Sequence, residues 1–395
     1  MPKLLTLADI NYAKKVVYLR VDYNVVEDGK VIDEFRIQQS IPTIRKLLAA
    51  DCKIILASHN GRPTNGPSQA LSLRPVAQVL ANLIDKPVGF VDDCVGPEVE
   101  LEVGKLKPGE LLLLENLRFH KAEEKNNANF AKSMANLAEV YVDDAFANVH
   151  RAHASMVGLP KFLPHCAGLL MQQEYERLSS LLGVPARPFV AIIGGVKISS
   201  KIGVLQSLLK KANTIFIAGA MANTFIQALG YEIGKSSTEQ DCIQTAKDII
   251  KSAKQNKVNL ILPTDFVVAT SARQGVKHRL VRLDKIEKND IALDIGKQTM
   301  KAIWPVLESA KTIFWNGTLG MAELPDFAWA SRDLAHMIAL RKNKADTIIG
   351  GGDTAAFIHK LAMQGRFDFV STGGGASLEL LAGEKLPGIE ALMSK

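Results

Sequence analysis

The sequence predicts an α/β protein made of two Rossmann-like, three-layer αβα domains with parallel sheets, joined by a helical hinge. Three observations predict it. Short apolar, β-branched runs alternate with amphipathic helical patterns along the whole chain. The runs are mostly continuous rather than alternating, which is the pattern of parallel strands buried on both faces. The length, 395 residues, suits two domains of ordinary size.

Taken in order, the first half offers strands at Val16–Val21, Lys53–Ala57, Val88–Val91, Leu111–Leu114 and Val140–Val142. The second half offers Phe189–Ile193, Thr214–Ala218, Asn259–Leu262, Thr312–Trp315, Thr347–Ile349 and Phe369–Ser371. Between them, Ile37, Ile41, Ile44, Leu47 and Leu48 recur at helical spacing, as do Val76, Val79, Leu80, Leu83 and Ile84. The count predicts two sheets of about six strands each. Met171–Leu182 reads as a polar helix, and Gly183–Pro188 breaks it before a fresh strand. The join between the two domains is therefore expected near Leu169–Pro188.

Composition narrows the function classes. Lys and Arg total 48 against 41 Asp and Glu, a net charge of +7, which favours anionic ligands. The densest basic runs, such as Lys251–Lys257, carry no interleaved aromatics, and aromatic content is 6%. Nucleic acid is therefore not an expected partner. No apolar run approaches membrane-spanning length, so no membrane association is expected. Cys52, Cys94, Cys166 and Cys242 form no Cys-x-x-Cys pair, which leaves zinc and dithiol motifs without support. The start, Met1–Asp9, has one lysine and no long apolar core, so the expected address is cytoplasmic.

Ligands of open α/β sheets bind at the carboxyl ends of strands, and the two halves differ there. The first-half strands run into Asp22-Tyr23-Asn24, into Ser58-His59-Asn60-Gly61-Arg62, into Glu115–His120 with Arg118, and into Asp143–His153 with Arg151. Arg36 opens the helix after the first strand. Arginines converging on one sheet edge suit a small polyanion, because guanidinium pairs with phosphate or carboxylate through two parallel bonds. The second-half strands run into glycine clusters that open helices: Gly194-Gly195-Val196-Lys197 followed by Lys201, then Gly219-Ala220, Gly350-Gly351-Gly352-Asp353-Thr354, and Gly373-Gly374-Gly375. Glycine lets backbone N–H groups close on a phosphate, and the helix start adds positive potential. One such turn is a weak signal, since tight strand–helix turns need glycine anyway. Four in one half point to a nucleotide phosphate site. Asp353 either caps its helix or holds Mg²⁺.

These blocks resemble phosphoglycerate kinase, and the resemblance covers essentially the whole chain. It rests on Arg20-Val21-Asp22-Tyr23-Asn24, Ser58–Pro63, Glu115–His120, His150–Ser155, Gly194–Lys197, Phe314-Trp315-Asn316-Gly317, Gly350–Thr354 and Ser371–Ser377. The resemblance implies transfer of a phosphoryl group between 1,3-bisphosphoglycerate and MgADP, with Mg²⁺ accompanying ATP or ADP. It implies substrate binding by Asp22, Tyr23, Asn24, Arg36, His59, Asn60, Gly61, Arg62, Arg118 and Arg151. Nucleotide binding falls to Lys201, Gly219, Ala220, Asn316, Glu323, Gly351, Gly352, Asp353 and Thr354, with Asp353 at the metal. Arg36, Lys197, Lys201 and Gly374 are the implied catalytic groups. The resemblance further implies a monomer with a first domain over 1–170, a helix and hinge over 171–187 about which it closes, a second domain over 188–375, and a last segment over 376–395 packed on the first domain.

The chain also departs from the family pattern. Val26 stands where proline is common and Asn60 where leucine is common. Asp143, Ala147 and Asn148 alter the stretch before His150. Ala218 and Ala220 replace glycines, Val196 replaces alanine, and Thr318, Leu319, Met321 and Ala322 replace another run near the expected base pocket. Two other classes fit less of the sequence. A nicotinamide-dependent oxidoreductase wants a G-x-G-x-x-G turn with an acid about 20 residues on, and an exported solute-binding protein wants a signal segment.

Overall fold

The structure is a computed structural model describing residues 3–64 and 66–394. The chain folds as two compact units, one of residues 1–176 with 385–395 and one of residues 177–384.

In the first unit, six parallel strands form one sheet: β1 (Val16–Arg20), β4 (Lys53–Ala57), β5 (Val88–Val91), β6 (Leu111–Leu114), β7 (Val140–Asp143) and β8 (His165–Ala167), in the order β5-β6-β4-β1-β7-β8. A two-stranded hairpin, β2 (Val26–Glu27) with β3 (Lys30–Val31), follows β1. The β1 residues from Val17 to Arg20 are almost fully buried, as are Ile54–Ala57 of β4, which is why these strands carry no polar alternation. Helix Phe35–Leu48 lays Ile37, Ile44 and Leu47 on this sheet, and helix Arg74–Ile84 adds Val76, Ala77, Leu80 and Ile84. The chain leaves β1 for β4 on one side and later returns to β7 on the other, so a topological switch lies beside β1. Near the chain ends, Leu4 bridges Met393, and the short helix Pro387–Ala391 begins against Val149, whose carbonyl accepts from Gly388 N–H at 2.8 Å.

In the second unit, β9 (Phe189–Ile193), β10 (Thr214–Ile217), β11 (Asn259–Ile261), β15 (Thr312–Asn316), β16 (Asp346–Gly350) and β17 (Phe369–Val370) form a parallel sheet ordered β11-β10-β9-β15-β16-β17. The strands run outward from β9 in one direction and then from β15 in the other. This is the doubly wound order with its switch between β9 and β15. A separate antiparallel sheet comprises β12 (Asp265–Ala269), β13 (His278–Arg282) and β14 (Ile291–Ile295), in the order β13-β12-β14. Helix Leu169–Leu182 carries the chain out of the first unit.

The strand predictions hold to within a residue or two. The short strand β8 and the antiparallel sheet lie outside them. Three residues, His165–Ala167, are too few for a hydropathy run, and β13 is mostly exposed and charged, so neither resembles a buried parallel strand.

Candidate functional site

The carboxyl edge of the first sheet gathers cations around one carboxylate. Asp22, just past β1, accepts from the Arg36 guanidinium, and His59 Nδ1 stands 3.9 Å from its other oxygen. Arg20 ends β1 fully buried, donating from Nε to Ser155 Oγ at 3.0 Å and lying 3.4 Å from His59 Nδ1. Burial, and then the charges of Arg20, Arg151 and Arg36, hold the His59 imidazole well below its usual range. Burial with Arg151 and Arg20 brings His153 down to about 4. Both imidazoles are kept neutral first by burial and further by the surrounding guanidinium groups.

Arg118 is the cation at this edge with the most unused donor capacity. It is 6% exposed and donates from Nη1 to Gly61 O at 2.6 Å, while its buried Nη2 has no hydrogen-bond partner. Its Nε has only the distant Glu124 carboxylate at 3.5 Å. A buried, unsatisfied guanidinium donor is costly unless a ligand completes it. Asn24 is exposed and accepts from Gly61 N–H at 2.7 Å, fixing the turn that carries exposed Arg62. Arg151 is half-buried beside His150.

Two residues at this edge turn inward. Tyr23 is fully buried, with its hydroxyl 2.8 Å from Ser40 Oγ. Asn60 is 1% exposed, and its side chain bonds the Val26 backbone in both directions, at 3.1 Å from Val26 N–H and 2.9 Å to Val26 O. That pair accounts for two departures from the family pattern together. Valine brings an N–H that proline lacks, and asparagine brings the acceptor that leucine lacks.

In the second unit the loops after β9, β10 and β15 interlock. Gly194 N–H donates to Asn316 O at 2.7 Å, Gly195 N–H to Thr318 O at 3.0 Å, Gly219 N–H to Leu319 O at 3.1 Å and Met221 N–H to Gly195 O at 3.1 Å. A Cβ at Gly219 would stand 2.5 Å from the Gly195 backbone, at a φ of +67°. The approach therefore needs glycine. At Gly351, φ is +92° and a Cβ would stand 2.6 Å from Asn316 Nδ2.

Lys201 sits beneath these loops, 8% exposed. Its ammonium donates to Gly194 O at 2.6 Å and Asn316 Oδ1 at 2.5 Å, both neutral acceptors. Burial brings it down to about 8, opposed by the Asp353 charge. Asn316 Nδ2 is buried without a partner. Thr354 Oγ1 accepts from Gly317 N–H at 2.6 Å. Asp353 is exposed in the first turn of helix Gly352–Lys360 and makes no capping bond, the cap position being Gly351. Gly374 holds the start of helix Gly375–Ala382 at a φ of +53°. Lys197 is exposed on the loop between Gly195 and Lys201.

A mostly apolar cavity of about 470 Å³ adjoins these loops, lined by Gly219, Ala220, Phe266, Leu293, Leu319 and Glu323 among others. Strands β12 and β14 thus supply a wall that the sequence reading lacked. Ala220, Thr318, Leu319 and Met321, all departures from the family pattern, line it. Glu239 is a further residue that the sequence did not single out. It accepts from Ser199 N–H at 3.1 Å and Ser199 Oγ at 2.5 Å, tying down the loop between Lys197 and Lys201. Forty residues separate the partners, and no local pattern announces such a pair.

Cationic groups closing one parallel sheet and glycine turns with a buried ammonium closing another define a class: α/β proteins that handle phosphorylated ligands. The phosphoglycerate kinase family model matches residues 7–384. The phosphoglycerate kinases of Moorella thermoacetica and Dictyoglomus turgidum are 47% and 45% identical, each match covering 99% of both chains. Among solved structures, the phosphoglycerate kinase of Coxiella burnetii superposes with a TM-score of 0.87 at 37% identity over 99% of both chains. That of Pyrococcus horikoshii gives 0.85 at 30% identity over 98% of both chains. The chain belongs to the phosphoglycerate kinase family, and so to the kinases of glycolysis. Among the described residues, no helix is long and apolar enough to cross a membrane.

Proposed function

We propose that this chain transfers a phosphoryl group reversibly between 1,3-bisphosphoglycerate and MgADP, giving 3-phosphoglycerate and MgATP. The observation that carries the reading is Lys201: a buried ammonium with two neutral acceptors keeps a third donor for an anion. The first unit would bind 3-phosphoglycerate through Asp22, Asn24, Arg36, His59, Arg62, Arg118 and Arg151. Tyr23 and Asn60 would act by shaping the loops rather than by touching ligand with their side chains. The second unit would bind nucleotide, its base in the apolar cavity beside Ala220 and Glu323 and its phosphates near Lys201, Gly219, Asn316 and Gly351–Thr354.

The acceptor carboxylate of 3-phosphoglycerate is already ionised, so no general base is needed. What the transfer asks for is in-line alignment and neutralisation of charge on the moving group. Arg36, Lys197, Lys201 and the N–H groups after Gly374 would supply that neutralisation. Asp22 would orient Arg36, and Glu239 would hold the lysine-bearing loop. An exposed carboxylate beside a phosphate-binding turn is the hard oxygen donor that Mg²⁺ takes, and Asp353 would hold the ion against the nucleotide. Held there, Mg²⁺ would supply positive charge that offsets the negative charge of the phosphates.

Closure about helix Leu169–Leu182 would bring the two ligands together and exclude water, which otherwise hydrolyses an acyl phosphate. The organisation proposed is a substrate domain over 1–170, a hinge over 171–187, a nucleotide domain over 188–375 and a terminal segment over 376–395. We place the enzyme in the cytoplasm as a monomer. Four free thiols suit a reducing compartment, and one chain carries both sets of binding groups. The test is a coupled assay supplying MgATP and 3-phosphoglycerate to folded protein. Formation of 1,3-bisphosphoglycerate is expected, and its absence would overturn the reading.

A further inference from the structure

Beyond the kinase groups, one cluster in the first unit joins three kinds of metal donor. Asp93 follows β5, Cys94 is its neighbour, and His120 follows the turn after β6. One ligand atom from each lies within 4.8 Å of the others. Asp93 Oδ1 meets His120 Nε2 at 2.6 Å, and Cys94 Sγ donates to Glu115 O at 3.0 Å. The cysteine is buried, whereas the Asp93 and His120 side chains are 47% and 31% exposed. The donors come from the loops after two strands, with Asp93 and His120 27 residues apart. A search for Cys-x-x-Cys or His-x-x-x-His spacing therefore passes over them.

We propose that Asp93, Cys94 and His120 form a three-ligand site for a borderline-soft divalent cation of the zinc class, with water as fourth ligand. Imidazole, thiolate and carboxylate together suit Zn²⁺, and a thiolate does not suit Mg²⁺. The site is therefore distinct in chemistry from the nucleotide's metal. Bonds of about 2.0–2.3 Å in a tetrahedron put donors roughly 3.3–3.8 Å apart. The Asp93–His120 pair must open slightly and the thiol must swing in, and partial exposure gives the first two freedom to move. On binding, the Cys94 thiol gives its proton to solvent and surrenders its bond to Glu115 O, while His120 Nε2 offers its lone pair.

The test titrates full-length, chelator-treated protein with Co²⁺ and follows its absorption. One equivalent should give the visible bands of tetrahedral cobalt and a near-ultraviolet thiolate-to-cobalt band. Zn²⁺ should bleach both, and excess Mg²⁺ neither. Cys94→Ser should lose the thiolate band, and Cys242→Ser should keep it. His120→Ala, at a partly exposed position, serves if the buried serine variant fails to fold. It should weaken binding by more than the roughly 10–100-fold that losing an outer-shell partner brings. Absence of the thiolate band in the wild type, its persistence in Cys94→Ser, or unchanged affinity in His120→Ala would each overturn the proposal.

Discussion

Replacing Lys201 probes the proposed nucleotide side through pH as well as rate. The ammonium lies between Gly194 O and Asn316 Oδ1, and burial brings it down to about 8. At pH 7, one unit below, about nine-tenths of free enzyme carries the charge, and at pH 9 about one-tenth does. Because kcat/KM reports the free enzyme, kcat/KM for nucleotide should fall about tenfold per unit above pH 8. Arginine stays charged throughout this range, so Lys201→Arg should remove that alkaline limb even though its larger head fits the two acceptors poorly and slows turnover. Lys201→Met should cost about 10²–10³ in kcat, the scale for one preorganised donor. The assay is steady-state turnover from pH 6 to 10 on protein shown to be folded. An alkaline limb of the same pKa in Lys201→Arg, or near-wild-type turnover in Lys201→Met, would refute the reasoning.

Two further predictions concern the supports of the site. Burial raises Asp143 to about 7, well above the 3.8 of an exposed aspartate, so the folded state keeps a proton that the unfolded chain has lost between about pH 4 and 7. Stability should fall as pH rises across that window. Asp143→Asn retains an acceptor for the Ala145 N–H, now at 3.0 Å. At pH 8.5 it should be more stable than wild type by up to roughly 4 kcal/mol, from about three pKa units. Urea midpoints that differ equally at pH 4 and pH 8.5 would contradict this. Asp144 at about 6 and Asp294 at about 7 leave the variant some residual slope. Glu239→Ala should lower kcat about tenfold, on the scale of one or two lost hydrogen bonds, with little change in KM for 3-phosphoglycerate. Glu239→Gln should recover part of the loss, and an unchanged kcat in Glu239→Ala would remove the residue from its positioning role.

The parallel sheets were legible because strands buried on both faces must be apolar without alternation. Val17–Leu19 and Ile54–Ala57 announce themselves for that reason. The groups at their carboxyl ends were legible because the fold class says where to look. What stayed hidden depends on pairing across the chain. Strand β13, with His278, Arg279 and Arg282 in five residues, reads as a loop until β12 is beside it, yet the same sheet walls the cavity. The inward turn of Tyr23 is decided by Ser40, and that of Asn60 by Val26. The grip of Glu239 on Ser199 and the meeting of Cys94 with His120 likewise bring together residues that are distant in sequence.

The central claim is that the two units hold different ligands, each through its own buried cation. Calorimetric titration of each ligand alone tests it most directly. Wild-type protein should bind 3-phosphoglycerate and MgATP separately. Arg118→Met should weaken 3-phosphoglycerate by at least about tenfold, the loss of a charge-assisted hydrogen bond, and leave MgATP unchanged. Lys201→Met should do the reverse. A variant that weakens both ligands equally, or only the ligand assigned to the other unit, would contradict the account.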